Sequence, residues 1–218
     1  MFEFRLVYKG PLKPESASSG SGNVQQKHQI RKHFHLQLLE LWKQHPALRS
    51  QAESFYFISD GGDGEKRIIE VDSTVRSSSN VKTWDQHIAD SHVVCGQRFV
   101  PLVSNVGGFT CSLDVLFLRR DNPGHLIRQG GDIDNRIKTL LDALTMPNES
   151  QLQKIQFDAH EDPFHCLLED DYLVTGMSVT TDRLLMPMET DEKLHDVHLV
   201  IRVTISDQSA LFVGGRLV

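Results

Sequence analysis

The stretch that most constrains this chain is residues 130–144, Gly-Gly-Asp-Ile-Asp-Asn-Arg-Ile-Lys-Thr-Leu-Leu-Asp-Ala-Leu. Two glycines hand over to two aspartates one residue apart, and a helical pattern follows at once. Ile133, Ile137, Leu140, Leu141 and Leu144 recur at helical spacing and give one apolar face, which has to lie on a core. Asp134, Lys138 and Asp142 fall four apart and stack as a charged strip beside that face. Pro147 then stops the helix. Carboxylates at a helix entrance with a lysine one turn in suit a divalent cation and a phosphate, the aspartates offering hard oxygen ligands and the lysine meeting negative charge. For either aspartate alone, capping is the simpler role. A helix needs one cap, however, and this one has Asp132, Asp134 and Asn135 together.

Around that helix the pattern alternates between strands and helices. Phe2, Phe4 and Leu6 alternate with polar residues and predict a strand over 2–8, followed by a Pro-, Ser- and Gly-rich loop over 9–23. Residues 24–45 predict a long amphipathic helix, with Ile30, Phe34, Leu38, Leu41 and Trp42 on one face and the basic residues on the other, ended by Pro46. Those basic residues (Lys27, Arg31 and Lys32) read either as a solvated face or as a track for a phosphate backbone. A β-hairpin is expected over 55–71, a short helix carrying Trp84 and Ile88 over 81–92, and buried strands over 99–103 and 113–118.

Downstream, residues 149–157 predict a polar helix and 158–165 a loop. Leu167-Leu168-Glu169-Asp170-Asp171 then sets three carboxylates between an apolar lead and a strand that runs through Met177 and Val179. Val197, Leu199, Ile201, Val203 and Ile205 alternate strictly, a half-buried strand whose His198 and Arg202 face solvent. The order of elements predicts an α+β fold, a mixed β-sheet packed by helices, in a single domain over 1–218.

Hydrophobic content of 39% and charged content of 24% describe an ordinary soluble globular protein. No apolar run approaches the roughly 18 residues of a membrane span. The first residues lack a signal-peptide core, so a cytosolic location is expected. Cys95, Cys111 and Cys166 lie far apart with no CxxC pair, which argues against a zinc cluster or a disulfide framework and leaves buried thiols as the expectation. The net charge of −6 does not announce a nucleic-acid binder, but its distribution is uneven. Arg119, Arg120, Arg128, Arg136 and Lys138 surround the central motif, whereas residues 158–171 carry six carboxylates and no Lys or Arg. Asp158, His160, Glu161, Asp162 and His165 could form a metal site of their own, although their spacing fits no zinc-enzyme pattern.

The run Asp132-x-Asp134-Asn135, then Lys138, then Asp142-Ala-Leu, followed by the Asp170-Asp171 pair before a strand, resembles the RusA family of Holliday junction resolvases. The opening strand, Pro-containing loop and basic helix match that family's order as well. The resemblance covers roughly half the chain. It implies a RusA-like core with insertions, here at about 50–95, and a long loop at about 148–166. It implies a metal-dependent endodeoxyribonuclease that acts as a homodimer on DNA, with branched DNA such as Holliday junctions as substrate. By the same resemblance Asp132, Asp134 and Asp171, with Asp170 beside it, would hold Mg²⁺ or Mn²⁺. Lys138 would face the phosphate, and Asn135 and Asp142 would support the site by hydrogen bonding and helix packing. Lys27, Arg31, Lys32, Arg119, Arg120, Arg128 and Arg136 would hold the nucleic acid. Two rival readings are a catalytically inactive nucleic-acid- or protein-binding module on the same fold, and a small-phosphoester hydrolase centred on His160 and His165.

Overall fold

The computed structural model describes residues 2–14, 22–60, 66–71, 81–120, 133–187 and 196–207. In chain order the elements are β1 (Phe2–Pro11), α1 (Gly22–Gln44), α2 (Pro46–Glu53), β2 (Phe55–Asp60), β3 (Lys66–Val71), β4 (Val81–Thr83), α3 (Trp84–Ser91), β5 (Val93–Val94), β6 (Gln97–Val103), β7 (Phe109–Arg119), α4 (Ile133–Leu144), a single helical turn α5 (Glu149–Leu152), β8 (Phe164–Leu168), a 3-10 turn (Asp171–Leu173), β9 (Val174–Arg183) and β10 (Asp196–Asp207). The fold is α+β with mixed sheets. Among the described residues no helix is long and apolar enough to cross a membrane.

The principal sheet has the order β1-β10-β7-β9, antiparallel except for the parallel β7–β9 pair. The strict alternation of β10 is what seats it between β1 and β7. Val197, Leu199, Ile201, Val203 and Ile205 are all buried on one face. On the other face Arg202 reaches Asp114 at 3.1 Å. Helix α1 covers the buried face with Ile30, Phe34, Leu38 and Trp42, which join one core with Leu6, Leu113, Val115, Leu140 and Leu168. A smaller sheet, β3-β2-β4, forms the expected hairpin, and its glycine-rich turn lies outside the described residues. It leads to α3, whose Trp84 and Ile88 belong to the main core.

A third sheet, β5-β6-β8, brings β8 parallel to β6. The β5–β6 turn holds Cys95 at φ 50 and Gly96 at φ 84, a two-residue hairpin turn that leaves the Cys95 thiol exposed, contrary to the expectation of buried thiols; Cys111 and Cys166 are buried. The polar helix expected over 149–157 stops at Leu152. Beyond it Ile155 is buried and Phe157 packs edge-on against Phe99 and Phe164, an alternate-residue pattern that a helix cannot bury.

Candidate active site at the ends of α4 and β8

Strand β8 is buried along its whole length, His165 included, and the chain turns acidic where it leaves the core. The three carboxylates Glu169, Asp170 and Asp171 stand at that exit. Backbone bonds fix it in place: Glu169 N–H donates to Val103 O at 2.9 Å and Met146 N–H donates to Leu168 O at 2.9 Å. The second bond staples the end of α4 to the end of β8, and Thr145 bridges Leu168 in parallel. Asp170 accepts from Tyr172 N–H at 3.3 Å and so caps the 3-10 turn that carries Asp171.

This junction is an open cleft of about 420 Å³ whose lining includes Arg31, Asp142, Gln151, Glu169, Asp170 and Asp171. Asp171 is held above the usual carboxylate range, first by its hydrogen bond with Asp170, then by partial desolvation and by the negative charges of Asp170 and Asp142. Three aspartates from two distant segments are therefore close enough to perturb one another. Glu169 is already engaged: its Oε2 accepts from Asn105 N–H at 2.7 Å and lies 3.4 Å from His92 Nε2. Asp142 Oδ2 lies 2.5 Å from Lys27 Nζ, while the Asp142 side chain keeps 30% of its surface exposed.

The expected trio Asp132, Asp134 and Asp171 is placed only in part. Asp132 lies outside the described residues, as does Arg128. Asp134 and Lys138 are exposed on α4, and Asp134 sits two turns, about 12 Å of helix rise, before Asp142. The motif carboxylate that shares the cleft with Asp170 and Asp171, and whose charge acts on Asp171, is that of Asp142, which the sequence reading put in a supporting role. Asn135 contributes its backbone carbonyl to the Thr139 hydroxyl at 3.0 Å.

The expected basic nucleic-acid surface needs correction. Lys27 is 4% exposed and Arg31 2%, because they share the buried side of α1 with Ile30, Phe34 and Leu38 instead of facing solvent. Each is drawn inward by α4: Lys27 by the Asp142 carboxylate, Arg31 by the carbonyls of Thr145 and Asp142. The signal was the four-residue step from Lys27 to Arg31, in phase with the apolar stripe. Arg119 is likewise buried. Arg120 donates to the carbonyls of Met186 and Pro187, and Arg136 to that of Leu12, so both brace loops. Lys32 is committed to Asp158 at 2.8 Å and Glu161 at 2.9 Å.

That last contact bears on the second acidic cluster. Asp158, His160 and Glu161 bring ligand atoms within 4.8 Å of one another. The Lys32 ammonium already occupies the two carboxylates, and His165 is a buried β8 residue beside His35 and Trp42 rather than a member of the group.

No protein-family model, curated protein or solved structure matches the chain.

Proposed function

We propose that this protein is a metal-dependent phosphodiesterase acting on DNA, an endonuclease of RusA-like type. The observation that supports it is the meeting of Asp142 with Asp170 and Asp171 in one open cleft, on the helix that also bears Asp134 and Lys138. The donors are carboxylate oxygens, the chemistry that Mg²⁺ or Mn²⁺ takes, and the crowding that raises Asp171 is what a divalent cation relieves; among the described residues Asp142, Asp170 and Asp171 do not bring their oxygens within 4.8 Å of one another, so an ion would draw them together. Asp142, Asp170 and Asp171, with Asp134 and Asp132 from the same motif, are the residues that would hold it. Such an ion supplies Lewis-acid polarisation of a phosphoryl oxygen and a more acidic bound water. The chain's own contribution is positional. Capping by Asp170 fixes the 3-10 turn, the Met146–Leu168 staple sets its distance from α4, and Lys138 brings positive charge one turn before Asp142 to meet the substrate phosphate.

The test is incubation with labelled branched, flapped and linear nucleic acids, with Mg²⁺ or Mn²⁺ against chelator. Metal-dependent internal cleavage that disappears in Asp171→Asn is the expected result; cleavage of full strength in that variant would falsify the assignment. A homodimer and a cytosolic location belong to the same reading, and sedimentation with and without DNA checks the first.

One observation favours a non-catalytic binding module instead. Lys27 holds Asp142 at 2.5 Å and competes with any cation for that carboxylate. Calorimetric titration with Mg²⁺ separates the two readings, since a module of that kind takes up no ion at the cleft.

A further inference from the structure

Strand β1 is an outer strand of the principal sheet, and among the described residues its far edge meets no other strand. It pairs with β10 in unbroken antiparallel register from Phe2 to Pro11, so the backbone groups of alternate residues point away from β10. Val7 shows which ones they are. Its N–H donates to Gln37 Oε1 at 2.9 Å, and its carbonyl accepts from Gln37 Nε2 at 2.7 Å. The Gln37 amide therefore occupies the edge at Val7 as a partner strand would. Glu3 and Arg5 are in phase with Val7 and turn their N–H and C=O groups to the same side, where no partner meets them among the described residues. An open stretch from Phe2 to Leu6 remains, and exposed edges of this kind are templates for pairing. Beside it α1 leaves a groove of about 450 Å³ whose apolar lining is Phe4, Leu6, Leu36 and Leu41, with Leu36 60% exposed.

We propose that the Phe2–Leu6 edge is a self-association surface, which pairs antiparallel with the same stretch of a second copy about a two-fold axis at Phe4. Charge identifies the occupant. Because Gln37 closes the edge at Val7, the open stretch centres on Phe4. Two-fold pairing there sets Glu3 opposite Arg5 of the second copy, and Arg5 opposite Glu3 of the second copy. Both side chains are exposed, and their contact within one chain is a long 3.8 Å, which a closer cross-strand pair would replace. The outward backbone groups make each of these two pairs a hydrogen-bonded one, with two bonds apiece. Alternation then turns Phe2 and Phe4 of the incoming strand toward the core side, over the groove beside Leu36 and Leu41. The sheets of the two copies become one, with β9 at both outer edges. This gives the homodimer of the nuclease reading a surface but rests on the strand edge alone.

Sedimentation equilibrium of the full chain over a concentration series tests it, with Glu3→Arg, Arg5→Glu and the double variant alongside wild type. Wild type should dimerise reversibly. Each single variant sets like charges opposite one another twice and should weaken the dimer about tenfold or more. The double variant exchanges the two charges and should restore it. An equimolar mixture of the two single variants should form a heterodimer more readily than either self-associates, a recovery that misfolded chains would not show. A wild type that stays monomeric throughout the series overturns the proposal. So does a dimer that tolerates both single substitutions, or a mixture that recovers nothing. In each of those cases metal-dependent cleavage leaves the nuclease reading standing. Conversely, a charge-dependent dimer that cuts no nucleic acid supports the interface and counts against the nuclease.

Discussion

Lys27 Nζ and Asp142 Oδ2 lie 2.5 Å apart, joining the first turns of α1 to the last turns of α4 across 115 residues of sequence. The lysine is almost wholly buried and the carboxylate is partly open to the cleft, so the pair is both a brace and one wall of the candidate site. Removing the lysine strands a carboxylate beside two others. Lys27→Met should lower stability by about 1–3 kcal/mol, below the roughly 3–5 kcal/mol of a fully enclosed pair because water still reaches Asp142. Urea denaturation of Lys27→Met, Asp142→Leu and the double variant measures it, and the double variant should recover much of the loss.

Asp171 makes stability depend on pH in a direction opposite to an ordinary salt-bridged acid. Its folded-state pKa is raised, so the fold binds the proton more tightly than the unfolded chain does. The stability this gives is complete below the usual carboxylate range and is lost as pH rises through the folded value. Asp171→Asn should therefore match wild type in acid and exceed it at neutral pH, with saturating Mg²⁺ closing the gap. Denaturation midpoints on both sides of the carboxylate range decide it; a constant offset at every pH would contradict the assignment.

Three buried histidines act in the opposite sense. Burial pushes His165 down to about 3 from an ordinary 6.5 and lowers His28 and His35 as well. For His165 the unfolded chain binds more protons between those limits, so its contribution to stability falls as the pH drops below about 6.5, by up to about 1.4 kcal/mol per pH unit. His165→Met should flatten that dependence in denaturation curves recorded from neutral to mildly acidic pH.

Leu168 is fully buried at the end of β8, and its carbonyl receives the Met146 N–H. Leu168→Ala should cost about 2–5 kcal/mol. Because the same residue anchors the turn with Asp170 and Asp171, a Mg²⁺ titration of the folded variant should show weaker uptake than wild type.

Much of this arrangement was legible in the residues themselves. The alternation from Val197 to Ile205, the helical stripe from Ile133 to Leu144 and the apolar lead into Asp170 and Asp171 each specify a local element, and each element forms. The acidic site was half legible. Four-residue spacing put Asp142 in line with Asp134 and Lys138, but only the staple between Met146 and Leu168 selects the far end of that line as the place where Asp171 arrives. Lys27 and Arg31 were misplaced because a basic residue on a helix ordinarily faces water. Their four-residue step puts them in phase with the apolar stripe, but the carbonyls and the carboxylate that satisfy them there lie more than a hundred residues away.

The placement of β10 carries a consequence for biosynthesis. The strand made last among the four of the principal sheet is an interior one, and among the described residues it is the sheet partner of β1, made first. A chain emerging from the ribosome thus holds its opening strand unpaired until residues 196–207 are synthesised, and closure of the sheet is a late, long-range event. Stalling translation shortly before β10 should leave a nascent chain that proteases and chaperones recognise, and synthesis of residues 196–207 should abolish that recognition.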